Sequence, residues 1–129
     1  MFMSNQPTVK ALHEIIERRS TGKTSFAEFL EELAAIGIIQ YDIDVATGQA
    51  TYKGGGSELK TEPQVNFVIS NQFNRNKALE TIANITLPFL DFLKEIANAG
   101  IITYTVNITE KKAIYMGVNG DQIVEPLKI

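Results

Sequence analysis

The chain is 129 residues long, 44% apolar and 21% charged, a composition typical of one globular domain, since two cores of roughly 60 residues would each bury too little surface. Its formal charge of −3 and scattered basic residues argue against a nucleic-acid partner, and no apolar run reaches the length of a membrane span. Without cysteine there is no disulfide, thiolate metal site or cysteine nucleophile, and without a basic-then-apolar leader the expected compartment is the cytoplasm.

From Thr8 to Arg19, the residues Val9, Leu12, Ile15, Ile16 and Arg19 recur at three- and four-residue steps, which predicts an amphipathic helix with Pro7 at its start. Ser20 to Lys23 reads as a turn. Ser25-Phe26-Ala27-Glu28 has capping-box spacing, where a hydroxyl and a carboxylate each satisfy a free backbone N–H. The helix it opens runs to about Ile36 and buries Phe26, Phe29, Leu30 and Leu33, with Gly37 as its left-handed stop. Ile39 to Val45 alternates, with Ile39, Tyr41, Ile43 and Val45 on one face and Gln40, Asp42 and Asp44 on the other, as in a half-buried strand. Thr47-Gly48 turns the chain and Gln49 to Lys53 returns. Pairing Ile43 with Tyr52 and Val45 with Ala50 makes Tyr41 and Tyr52 diagonal neighbours. Gly54 to Ser57 reads as a flexible connection and Val65 to Ile69 as a third strand.

The second half follows the same order. Lys77 to Ala83 predicts a short helix and Pro88 to Asn98 a longer one, with Thr86 and Pro88 suiting its opening and Gly100 its end. Strands follow at about Ile102–Ile108, Ala113–Met116 and Gln122–Glu125. Sliding the chain by 63 positions aligns 26–54 with 89–117 without a gap, and 12 positions are identical, including all four tyrosines as two equivalent pairs. Glu110-Lys111 lacks the glycine of the first hairpin, so a longer, less regular loop is expected there. The expected fold is α+β: one domain, 1–129, of two tandem α-α-β-β-β repeats (about 8–70 and 75–126) that share a core, pack antiparallel sheet against helices, and have pseudo-two-fold character.

Phe-x-x-Phe-Leu-x-x-Leu, then Ala-x-x-Gly-Ile-Ile-x-Tyr, then a hairpin ending in Thr-Tyr and a glycine turn, resembles a bacterial family of unknown function often labelled phage envelope proteins. The closing Asn119-Gly120 turn and the short strand Asp121 to Glu125 are similar to the family's ending, so the resemblance covers almost the whole chain. The family implies no established activity. Its members usually carry cysteines and a second-half tryptophan; here cysteine is absent and Tyr104 stands where that tryptophan falls.

Several groups of residues suggest chemistry. Gly22-Lys23-Thr24 imitates the end of a phosphate loop, but Glu17 stands where the earlier glycine is needed, so a helix turn is expected. Gly54-Gly55-Gly56 lacks a following helix to supply free donors. His13, the single histidine, rules out a multi-histidine metal site and is expected near the surface, while remaining a candidate base. Asp42 and Asp44 share a strand face that is expected to be solvated, and Glu31, Glu32 and Glu95 are expected as exposed helix charge. Tyr41, Tyr52, Tyr104 and Tyr115 are the sharpest candidates, as core rings or as the lining of a cleft between the sheet halves. The resulting expectation is a non-catalytic cytoplasmic protein with no cofactor and no metal, which binds a small molecule or a protein, a homodimer included. The alternatives are a small enzyme or metabolite-binding domain using the tyrosines with His13 or Glu32 and Glu95, and a prophage or virion component.

Overall fold

The computed structural model describes residues 5–84 and 87–127, so Thr86, expected in a helix opening, lies outside them. The first helix, α1 (Asn5–Ser20), starts earlier than Thr8 and takes Pro7 into its first turn, where a missing N–H costs no helix bond. Its stripe buries Leu12 and Ile15. Beyond its end the Gly22 and Lys23 N–H groups donate back to the Arg19 and Arg18 carbonyls at 3.1 and 2.8 Å, so Gly22-Lys23-Thr24 forms a helix stop.

Helix α2 (Phe26–Ala35) opens through the expected capping box. Ser25 Oγ accepts from the Glu28 N–H at 3.1 Å, and the Glu28 carboxylate accepts from the Ser25 N–H at 2.8 Å. That backbone bond, helped by the Ser25 hydroxyl, holds the Glu28 carboxyl below its ordinary range. Gly37, at φ +90°, ends α2, and Leu33 accepts from Ile38 in the same stop. In the second half α3 (Arg75–Ala83) is capped by Asn74, and α4 (Phe89–Asn98) ends at Gly100, φ +86°.

The strands are β1 (Gln40–Asp44), β2 (Ala50–Gly54), β3 (Ser57–Lys60), β4 (Ile101–Asn107), β5 (Lys112–Gly117) and β6 (Gln122–Pro126). They form one antiparallel sheet in the order β3-β2-β1-β4-β5-β6, so each half supplies a three-stranded meander and β1 joins β4 in the middle. The fold is α+β, with the helices on one face of the sheet and the core between: Leu30, Leu33, Leu93 and Ile96 meet Ile43, Val106 and Ile101 there. Among the described residues no helix is long and apolar enough to cross a membrane.

Three expectations about the strands need correction. The third strand is Ser57–Lys60, not Val65 to Ile69, because Gly55 (φ +56°) and Gly56 (φ +81°) make a tight two-residue hairpin instead of a loose connection. The 61–74 segment is a strap: Val65 and Phe67 donate to the carbonyls of Thr47 and Ala46, and Ser70 and Asn74 to those of Ala97 and Ala99. Tyr52 pairs directly with Tyr41, not with Ile43, a slip of two residues that keeps each side chain on its face. Finally, the turn holding Glu110 is no longer than its counterpart, because Lys111 itself adopts φ +57° where the first hairpin has Gly48 at φ +75°.

Candidate functional site

The alternation of the strands divides the candidate residues between two faces. The helix-covered face holds all four tyrosines, each 5–7% exposed. Tyr41 opposes Tyr52, and Tyr104 opposes Tyr115, with ring centroids 5.3 and 5.1 Å apart. The inner ring of each pair, on the central strand, is edged by a helix phenylalanine, Phe29 on Tyr41 at 6.0 Å and Phe92 on Tyr104 at 5.9 Å. The two pairs therefore lie side by side across the β1–β4 seam of a continuous sheet, and no cleft separates sheet halves there.

Burial sets the electrostatics of these phenols. It raises Tyr41 and Tyr104 well above the ordinary tyrosine range, and the neighbouring tyrosines add to the shift. Burial also raises Tyr52, and with the Glu125 carboxylate nearby it pushes Tyr115 up to about 12. Burial thus favours the neutral hydroxyl at all four positions.

The other face of the sheet carries no helix. Across its centre runs the row Lys60, Thr51, Asp42, Thr105, Ile114, Val124, one residue from each strand. Asp42 organises it: one oxygen accepts from Thr105 Oγ1 at 2.6 Å and from Gln40 Nε2 at 3.4 Å, and the other meets Lys53 Nζ at 2.8 Å. The bond to Asp42 raises the Lys53 ammonium above its ordinary value. Asp42 and Thr105 are 63 positions apart, so residues matched by the slide face each other at the middle of the sheet. The expected solvated carboxylate pair is therefore divided in role. Asp42 is engaged on the sheet, whereas Asp44 is exposed and accepts from the Ala46 N–H at 3.2 Å.

Beside Asp42 lies a shallow depression of about 430 Å³, rimmed by Asp42, Asp44, Gln49, Thr51 and Thr103 with Ala46, Ile69 and Ile102 among its apolar lining. A second, polar depression of about 410 Å³ gathers Gln72, Asn74, Arg75, Asn76 and Asn98 at the start of α3. Neither is lined by a tyrosine or by His13, which is exposed on α1. Glu32 and Glu95, expected as exposed helix charge, are part-exposed, and each ties its helix to its neighbour: Glu32 to Arg18 at 2.9 Å and Glu95 to Lys77 at 3.5 Å. Among the described residues no three histidines or carboxylates gather as a metal site would need.

The outer face offers hydrogen-bonding groups on an extended surface with apolar neighbours, an arrangement suited to holding a ligand or a partner. Sequence reasoning passed over Lys53 and Thr105, whose signal was the alternation of β1 and β4 combined with the 63-residue offset. No curated protein matches the chain. A family model matches residues 14–125, nearly the whole described fold, and by that match the chain belongs to the family described as protein of unknown function (DUF1398).

Proposed function

We propose that this is a cytoplasmic, non-catalytic binding protein that presents the open face of its sheet to a small molecule or a protein. One observation carries the reading: helices cover a single face, and the other combines exposed Ile102 and Val124 with the Asp42–Lys53–Thr105 group beside a depression. Two-sided coverage would have left only rim residues for contact. We infer further that the two halves are tandem copies of one unit, supported by their 12 shared positions and matching element order.

The test is amide chemical-shift mapping against a fragment and metabolite set. Hits should move β1, β2 and β4 signals around Asp42, and Thr103→Lys, at the exposed rim, should abolish them. Binding confined to other surfaces would defeat the reading, as would turnover of any substrate abolished by one side-chain substitution. The small-enzyme reading needs a ligand to reach rings packed against Phe29 and Phe92, and no observation favours it. The virion-component reading draws on family resemblance alone; assembly of the pure protein into large particles would support it.

A further inference from the structure

The two edges of the sheet are built differently. At β6, Leu127 N–H donates to the Lys111 carbonyl and Gly117 N–H to that of Asp121, which sets the ladder's alternation. Gln122, Val124 and Pro126 therefore turn their backbone groups outward. Pro126 has no N–H, and the Gln122 carbonyl already accepts from Arg75 Nη2 at 3.3 Å. Val124 alone keeps both a donor and an acceptor, too little for an added strand.

At β3 the Thr61 N–H donates to the Ala50 carbonyl at 2.9 Å, so Glu58 and Lys60 are the outward-facing residues. Among the described residues nothing bonds their outward N–H and C=O groups. Both side chains are exposed and lie on the outer face, and Leu59 between them is half-buried on the core side.

We propose that β3 is a self-association edge, to which a second copy of this chain adds its own β3 antiparallel across a two-fold axis at Leu59. In that register Glu58 stands opposite the partner's Lys60, and Lys60 opposite the partner's Glu58. Both are hydrogen-bonding positions, so backbone and charge complement each other together. Leu59 meets its own copy at the intervening position, where side chains approach most closely. On the outer face Lys53 already neighbours Glu58, so charge alternates across the seam as Lys53, Glu58 and the partner's Lys60. Because the β6 edge is blocked, the pairing closes at two copies and does not grow into a fibre. The dimer joins two open faces into one platform, a property beyond the binding reading and independent of any ligand.

A four-residue edge gives an interface below the roughly 1,200 Å² of stable complexes, so association in the upper micromolar range is expected. Sedimentation equilibrium of the full chain from about 10 μM to about 1 mM should show mass rising from 14.3 kDa toward twice that value. Glu58→Lys, which sets like charges opposite one another, should weaken association on the order of tenfold, and adding Lys60→Glu to the same chain should restore most of it. Amide exchange at Glu58 and Lys60 should slow as concentration rises. A monomer throughout the range overturns the proposal, as does a dimer that Glu58→Lys leaves intact with those amides unprotected. A double variant no tighter than the single one also overturns it.

Discussion

Raising the pH should unfold this protein through its tyrosines. All four are buried, and burial raises each above its ordinary value near 10. A folded-state pKa raised in this way contributes stability that is complete below pH 10 and is lost as pH climbs toward the folded value. For Tyr115, pushed up to about 12, the two-unit difference is worth about 3 kcal/mol at full loss. One pH unit above 10, each unfolded tyrosine has gained about 1.4 kcal/mol by ionising and each folded one almost nothing, so four together cost about 5.5 kcal/mol. That equals a large share of the 5–15 kcal/mol typical of a small domain, so cooperative unfolding near pH 11 is expected. Lys53 loses its Asp42 pair in the same direction, but both groups are partly exposed to solvent and add little. The assay follows tyrosinate absorbance and far-ultraviolet circular dichroism in one titration, where both should change in a single steep step. Combining Tyr52→Phe with Tyr115→Phe keeps the rings and should move the step to higher pH. Gradual ionisation from pH 10 with intact dichroism would refute the reasoning.

Four further outcomes are expected, the first three read from urea unfolding. Gly54→Ala should cost about 3 kcal/mol, since its Cβ would collide with the Gly37 carbonyl. Gly117→Ala meets the Phe73 ring edge at 2.6 Å, a side chain that can swing aside, and should cost only about 1 kcal/mol; the reverse order would count against the packing described. Lys111→Gly should stabilise by about 0.5 kcal/mol, because relief of the φ +57° backbone outweighs the added chain entropy, and any loss would contradict this. Ser25→Ala should lower stability by about 1 kcal/mol through loss of the α2 cap, visible as a lower melting temperature.

What the sequence disclosed depended on whether the controlling interactions were local. The α2 capping box and the Gly37 and Gly100 stops involve partners within a few residues, and they stand as expected. Period-two alternation assigned Tyr41 and Tyr52 to the correct face but not to each other, since a slip of two residues leaves every face unchanged. Val65 to Ile69 resembled a strand because an extended strap needs similar residues; its bonds go to loop and helix-end carbonyls contributed by distant segments. The candidate site was obscured for a related reason. Thr105 and Lys53 are ordinary strand residues until β1 places Asp42 between them, and that adjacency depends on the pairing of two strands far apart in the chain.

That central pairing also bears on how the molecule assembles itself. Every other strand contact joins immediate neighbours through a hairpin or short turn, whereas Gln40 pairs with Asn107 and Asp44 with Thr103, partners 67 and 59 residues apart. Hairpins close within microseconds, but the β1–β4 seam must first overcome the entropy of closing a long loop. The slow step of folding is then expected to be the meeting of two meanders that have already formed. Substitutions in the β2–β3 hairpin, already formed when the meanders meet, should slow folding and leave unfolding nearly unchanged, whereas those at Asp42 or Thr105 should act on both rates.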